Sequence, residues 1–280
     1  MAAAAPSAPA SPTGPAPVVA PKGPATPVSP AVPLSGSLHL TGTSRVPNVR
    51  AVDWAAHGFT KVVGNVEVET GEVTGSSTVG GSLVARQLSL SGSHRVDGEI
   101  RVSGALRTRG SLRTGAAVFA RTARLAGTVE IGGPLTVSED LEWVGNLEVG
   151  QHVRAGSVLF RGRLAIQGTL AARSISGEVD QLSTVKEIEA DWVEIRRRKP
   201  LLPFSIFLLP PPPWHELKVQ RIEANEVHLS GVRVRRLKAD RIWLGPHTHV
   251  EYVEGTIVER HKDAHVGPES ESPPPPGLSR

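Results

Sequence analysis

The residues best suited to chemistry are two histidines near the C-terminus. His247 and His249 alternate in the segment GPHTHVEY, so on a strand both could face one metal ion. No third ligand follows at a recognised spacing, although a protein-built metal site needs three or four ligands. We therefore expect a polar role at a strand edge, and we predict neither a metal nor a cofactor.

Histidine bases and paired carboxylates are the next candidates, because a transferase or a glycosidase needs them. His94 and His152 have no carboxylate pattern nearby, and we expect both to lie on turns. The acidic residues of the central region are spread through successive six-residue units, so that neighbours belong to different faces: Glu130, Glu139, Asp140, Glu142 and Glu148. We predict no catalytic residue and no small-molecule substrate.

The segment with the most unusual composition is RRRKPLLPFSIFLLPPPPWH, which joins a basic cluster to an apolar run. Cations beside Phe and Trp suit contact with an anionic membrane surface. The candidate contact residues are Arg196, Arg197, Arg198, Lys199, Phe204, Phe207 and Trp214. The alternative is that the same segment folds back over the rest of the protein to hide its apolar side chains.

The composition limits which cellular compartment suits the protein. The chain has no cysteine, which excludes disulfides and suits a reducing cytoplasm. No stretch reaches the roughly 20 apolar residues that span a bilayer, and prolines interrupt the N-terminus where a signal peptide would be apolar. We expect a cytoplasmic protein, or one at the inner face of the cell membrane if the basic segment binds lipid.

The two ends of the chain are rich in proline. Residues 1–34 are dominated by Ala, Pro and Ser, and residues 267–280 contain PESESPPPPG. Such segments bury too little apolar surface to offset the loss of chain entropy on folding. We predict two disordered tails.

The region between the tails is a repeat. Glycines fall at 92, 98, 104 and 110, and the units GTVEIG, GPLTVS, GNLEVG and GRLAIQ each contain aliphatic-x-aliphatic. Such a triplet points two side chains to one face of a short strand, and a glycine allows a bend before the next one. Three such sides give about 18 residues per coil of a three-sided β-helix with an aliphatic core.

The period then shortens from six to five. The segments IEADWVEI, IEANEVHL and LKADRIWL, which begin at residues 188, 222 and 237, are copies of one unit. The last two predict a coil of about 15 residues, and the wider spacing of the first two predicts an extruded loop. We expect a β-helix over residues 35–195, an insertion at residues 196–214 and a continued β-helix over residues 215–266.

Two basic groups could contact nucleic acid. Arg101, Arg107 and Arg113 are six apart, which in such a coil places them on three different sides rather than in a stripe. A denser cluster lies between inward positions and points outward: Arg233, Arg235, Arg236, Lys238 and Arg241. We expect a solvated face and no nucleic-acid partner, and a weak anionic contact of the cluster stays open.

Three parts of the sequence carry a family resemblance: the glycine-punctuated run GSSTVGGSLVARQLSLSGSHRVDGEIRVSG, the insertion, and the closing segment with LGPHTHVEY. They resemble the bactofilins, and most closely the longer bactofilin-like proteins of Firmicutes. These are bacterial polymer-forming cytoskeletal proteins. The resemblance covers residues 35–266 and implies a right-handed β-helix that assembles through its ends into filaments without nucleotide. The N-terminal tail is longer and richer in Ala and Pro than this likeness leads us to expect.

Three functions follow from these patterns. We favour a self-polymerising structural scaffold whose partner is itself, with a β-helical binding platform for a membrane or envelope assembly as the alternative. A hexapeptide-repeat acyltransferase is more remote, because its small residue directly follows the aliphatic one, whereas here Gly110 precedes Leu112 by two. The polymer interface predicted at the last coil is Val250, Tyr252, Val253 and Ile257.

Overall fold

The computed structural model describes residues 36–197 and 216–267, and these contain strands and no helix. The predicted tails, except for Gly267, and residues 198–214 of the insertion lie outside this range. The strands are β1 (Ser37–Val46), β2 (Val49–Val62), β3 (Val66–Val79), β4 (Leu83–Val96), β5 (Ile100–Thr114), β6 (Val118–Ile131), β7 (Leu135–Val137), β8 (Asp140–Val149), β9 (Val153–Arg154), β10 (Ser157–Val179), β11 (Ser183–Arg197), β12 (Leu217–Leu229), β13 (Val232–Leu244), β14 (His249–Arg260) and β15 (His265–Val266).

All paired strands are parallel and belong to one continuous sheet. Strands pair in sequence order, except that β7 and β8 lie on different stretches of the same coil, so that β6 pairs with both of them. A parallel pair needs a long connection to bring the chain back, and here each coil is itself that connection. This arrangement confirms the predicted all-β parallel solenoid.

The core is a set of aliphatic columns that follow the axis of the stack. In β3, burial alternates with exposure through Val66 and Val68, then Gly71 and Val73, then Ser77 and Val79. Each coil thus buries three pairs of positions, as the aliphatic-x-aliphatic units predict. The three-sided cross-section and the right-handed sense stay predictions. One column consists of Val49, Val66, Leu83, Ile100, Val118, Leu135, Val153, Leu170, Ile188, Ile222 and Leu237.

Coil length is read directly from the register. The length of one coil is the number of residues between register partners. The coil from Ile100 to Val118 is one residue longer than the coil from Val66 to Leu83. The step changes where the register shifts, as between Ala85 and Leu88. A bulge of this kind adds a residue at a corner without moving the inward side chains, so coils of slightly different length stack together.

Glycine forms a column of its own at one corner. The register partners are Gly42, Gly58, Gly75, Gly92, Gly110, Gly127, Gly145 and Gly162. All of them have positive φ, for example 122° at Gly92. A Cβ at Gly92 would lie 2.0 Å from the carbonyl oxygen of Gly75. Only glycine therefore allows the chain to turn this corner at the spacing of stacked strands.

The coils shorten after the insertion. Ile188 in β11 pairs with Ile222 in β12, so this step along the chain contains the whole insertion. Ile222 in turn pairs with Leu237 in β13, and this step is shorter than any coil before the insertion. The three copies of the sequence unit therefore lie side by side in adjacent coils. β11 ends at Arg197, and β12 begins at Leu217.

Candidate self-association surfaces

The C-terminal end of the stack presents apolar side chains that no further described strand covers. Val253 and Ile257 of β14 pair with Leu237 and Ile242, and they continue two core columns. β15 has only two residues and pairs only with the start of β14. Ile257 is consequently 38% exposed, although its counterparts in the preceding coils are buried. An uncovered coil of this kind exposes both apolar surface and unpaired backbone groups.

Two of the four predicted interface residues, Val253 and Ile257, continue core columns at this end, whereas Tyr252 follows the exposed Arg236 in an outward column of the last coil. Tyr252 and Ile257 are exposed, and Val253 is partly buried. Val258, which the sequence reasoning missed, adds another exposed side chain because it is the extra residue of a bulge opposite Ile242 and Trp243. We call Tyr252, Val253, Ile257 and Val258 the C-terminal end surface.

Val250 has a different environment from the other three. It pairs with Val234 on one side and Val266 on the other, and it is fully buried. The amide of Gly267 donates a hydrogen bond of 2.9 Å to the Val250 carbonyl. Val250 therefore belongs to the core of the stack, and its side chain is not available to a second molecule.

Charged residues surround the apolar part of the same end. Arg260 pairs with Leu244 and so takes the next position of an aliphatic column. Its Nε donates to the carbonyl of Ala264 at 3.0 Å, which closes the last turn. Glu259 and Asp263 are exposed beside it. The end is thus a mixed surface, apolar on one part and polar on the other.

The N-terminal end is the second uncovered surface among the described residues. β1 pairs with β2 through Leu38–Trp54, Leu40–Ala56 and Val46–Val62. No described strand pairs with the other side of β1. Its three inward aliphatic residues, Leu38, Leu40 and Val46, are only partly buried. Among the described residues, both ends of the solenoid therefore leave a backbone edge unpaired next to apolar side chains.

Ion pairs connect neighbouring coils along the outer surface. Arg113 donates to Glu130 at 2.6 Å, and Arg161 donates to Glu178 at 3.0 Å. The register places such partners on adjacent strands, which are about 4.8 Å apart in a sheet. The pKa of Glu130 is lowered chiefly by its hydrogen bond from Arg113, and the same contact raises the pKa of Arg113. These exposed pairs favour the correct register more than they stabilise the fold.

The two basic groups are distributed as the sequence predicts. Arg101, Arg107 and Arg113 pair with Phe119, Arg124 and Glu130 respectively, in three separate columns. Most of the second cluster is paired with acids: Arg233 with Glu216 at 3.0 Å, Arg235 with Glu251 at 3.7 Å, Lys238 with Glu254 at 2.9 Å and Arg241 with Glu226 at 2.8 Å. This surface is an ion-pair network between coils.

An aromatic cluster on the last coils was missed by the sequence reasoning. His228 and Trp243 are register partners and stack with ring centroids 4.2 Å apart and planes at 8°. Trp192 lies against His228 at 6.4 Å. The pKa of Glu226 is lowered chiefly by the hydrogen bond that its carboxylate accepts from Nε2 of His228. Alignment of the copies IEANEVHL and LKADRIWL, which places His228 beside Trp243, could have revealed this cluster.

The two histidines considered as general bases lie in different environments. His152 is exposed in an irregular connection, as expected. The prediction of a turn position is wrong for His94, which lies in β4 and is 3% exposed. It occupies an inward column position between Ser77 and Leu112.

The two histidines considered as metal ligands lie at the start of β14. His247 is exposed in the turn before the strand, with a φ of 55°. His249 is the first residue of the strand, is partly buried, and has its ring centroid 6.4 Å from that of His265. No group of three or more His, Cys, Asp or Glu residues within 36–197 and 216–267 is arranged to hold a metal ion.

An open groove of about 970 Å³ lies along the C-terminal half of the stack. Four register partners with small side chains line it, namely Ala172, Ala190, Ala224 and Ala239. Cations and acids also line it: Arg154, Arg173, Lys238, Glu189, Asp191, Glu223, Asp240 and Glu254. The mixed charge favours no single class of ligand.

Two of the seven predicted membrane-contact residues are within the described range. Arg196 forms an ion pair with Glu194 and is also the register partner of Glu178. The side chain of Arg197 lies over Gly231. The other five, Arg198, Lys199, Phe204, Phe207 and Trp214, lie outside the described residues. Within the part of the chain that is described, no helix is long and apolar enough to span a membrane.

Comparisons with protein-family models, curated proteins and solved structures find no match to this chain. The fold alone therefore defines the class of protein, which is a repeat protein built as a parallel β-solenoid. The resemblance to the bactofilins stays a prediction.

Proposed function

We propose that this protein is a non-catalytic structural scaffold, similar to a bactofilin, that polymerises end to end without nucleotide. The observation that carries the proposal is the C-terminal end surface, where two core columns stop at exposed or partly exposed Val253 and Ile257. Stacking a second molecule on this end buries those side chains and pairs the free backbone edge. An open stacking contact of this kind produces a fibre rather than a closed ring.

The test compares two arginine substitutions at exposed aliphatic residues. Ile257→Arg changes the C-terminal end surface, and Val84→Arg changes the side of the stack, where the residue is 43% exposed. We expect both full-length variants to keep the circular dichroism spectrum of the wild type. Negative-stain microscopy and light scattering without nucleotide or metal should show filaments for the wild type and Val84→Arg, and none for Ile257→Arg.

A third variant controls for loss of folding. Leu147 is 1% exposed in β8, so Leu147→Arg buries an unpaired charge and should unfold the chain. The circular dichroism spectrum of Ile257→Arg must remain that of a folded protein, unlike the spectrum of Leu147→Arg. Normal filaments of a folded Ile257→Arg variant would show that the C-terminal end surface is not the contact.

Membrane attachment forms the second part of the proposal and rests on the composition of the insertion. Basic residues directly before an apolar run favour anionic lipid surfaces. The filaments, or the monomers if none form, should sediment with anionic vesicles and less so with rising salt. Retained sedimentation after replacement of residues 200–213 by a Gly/Ser linker would exclude the apolar run of the insertion as the membrane contact. Vesicle binding without filaments would instead favour a β-helical binding platform.

A further inference from the structure

A second groove, of about 520 Å³, runs across the strands of the C-terminal half of the stack. Two columns of outward side chains line it. The first column consists of register partners, namely Glu148, Ala165, Thr184, Lys218 and Arg233. The second column lies two positions further along the chain and consists of Gln167, Lys186, Gln220, Arg235 and Glu251. We call these residues the lysine groove.

The two lysines of this groove are not engaged by other described residues. Its two arginines form ion pairs with acids, at 3.0 Å and 3.7 Å. Lys186 and Lys218 are exposed, and their side chains form no ion pair or hydrogen bond within residues 36–197 and 216–267. They lie on the adjacent strands β11 and β12, which are about 4.8 Å apart. A carboxylate placed between them is therefore attracted by both ammonium groups.

The structure describes the chain as far as Gly267, which is in line with the second column of the groove. Val250 pairs with Val266, so Gly267 takes the position after Glu251 in that column. Residues 268–280 therefore begin at one end of the lysine groove.

Residues 268–276 complement the groove in charge and in reach. Their sequence, PESESPPPP, has acids at 269 and 271 followed by four prolines. An extended chain carries Glu271 about 13 Å beyond Gly267, and Lys218 lies three strands before β15, about 14 Å along the stack. The prolines reach about 19 to 28 Å, the level of Thr184 and Ala165.

We propose that residues 268–276 bind in the lysine groove of the same molecule, with the two acids beside the two lysines and the four prolines along Thr184 and Ala165. Unlike charges meet in this arrangement. A proline-rich segment is already extended, so it loses little conformational entropy on binding. The segment then occupies a basic surface that otherwise attracts anionic partners. This inference does not depend on polymerisation.

Introduced cysteines test the proximity, because the chain has none of its own. A full-length protein with Thr184→Cys in the groove and Ser272→Cys in the segment should form a disulfide within one molecule when an oxidant is added. The control joins Ser272→Cys with Thr256→Cys, because Thr256 is exposed and pairs with Arg241 outside the groove. The control disulfide should form far more slowly.

Charge reversal tests the role of the lysines. Adding Lys186→Glu and Lys218→Glu to the first cysteine pair should lower the rate of disulfide formation at least about fivefold, as expected for the loss of two exposed ion pairs. Further addition of Glu269→Lys and Glu271→Lys should restore the rate. Reversal of Arg107 and Arg109, which are exposed on β5, controls for total charge and should leave the rate unchanged.

Three outcomes would overturn the proposal. A rate no higher than that of the control pair shows that the segment is not in the groove. Disulfides that form only between separate copies, measured by mixing the two single-cysteine proteins, show that the segment of a second molecule binds there. A faster disulfide between Thr184→Cys and Ser205→Cys shows that the insertion occupies the groove instead.

Discussion

His94 shows how a polar residue can be held inside an aliphatic stack. Its Nδ1 lies 2.8 Å from the hydroxyl of Ser77 on the preceding coil, and its Nε2 is buried without a hydrogen-bond partner among the described residues. Burial lowers the pKa of His94, and a hydrogen bond with the backbone of Ser91 only partly offsets this effect. Folding therefore favours the neutral form of this imidazole.

Stability should consequently fall in mild acid. The unfolded chain binds a proton at His94 below pH about 6.5, whereas the folded chain does not until a lower pH. The free energy of unfolding then decreases by up to about 1.4 kcal/mol per pH unit in that window. Urea unfolding between pH 5 and 8 measures the slope. His94→Leu should reduce it, and the exposed His152→Asn should leave it unchanged; equal slopes for the wild type and His94→Leu would contradict the argument.

At the scale of strands and corners, the glycine column sets how closely coils approach. Gly92 combines a φ of 122° with a backbone contact that leaves no room for Cβ. Gly115 lies at another corner, where a Cβ would meet nothing within 4 Å. The two glycines thus form a matched pair for substitution by alanine.

Gly92→Ala should destabilise the fold by at least about 2 kcal/mol, because both the conformation and the contact are unfavourable. Gly115→Ala should change stability by less than about 0.5 kcal/mol. Urea denaturation of both variants measures the difference. Similar midpoints would mean that the corner can relax, and that the column does not set the coil spacing.

The strands themselves were largely predictable. Aliphatic-x-aliphatic units separated by glycine leave few alternatives to short strands with bends, and the three sequence copies beginning at residues 188, 222 and 237 give the later register. The exact coil length was not predictable, because bulges such as that between Ala85 and Leu88 add a residue without changing the inward pattern.

The candidate surface was only partly predictable. The aliphatic alternation in the last coil led to the choice of Val253 and Ile257, which continue the columns of Leu237 and Ile242. The burial of Val250 depends on β15, whose two residues are too few to give a periodic pattern. His94 was misplaced for a different reason: a single polar residue in an inward column looks like a turn residue in the sequence.

At the scale of the whole molecule, stability comes from contacts between adjacent coils. Among the described strands, each coil pairs only with the coil before it and the coil after it. The stability of such a stack is approximately the sum of the coils and their interfaces. A chain of this kind need not unfold as one unit, and it opens first where the coupling between neighbours is weakest.

The change of coil length at the insertion has a consequence for local unfolding. The register step from β11 to β12 contains the whole insertion, and the coil that follows it is shorter than those before it. Coils of two sizes meet there, and the stretch of sequence between β11 and β12 is the longest between consecutive described strands. A longer stretch costs more entropy when its ends are brought together. We expect native-state hydrogen exchange to reveal two cooperative units, with the amides of β12–β14 opening at a lower free energy than those of β3–β10. A single opening free energy for both groups would contradict this. If two units are found, a single continuous sheet unfolds as two separate cooperative parts.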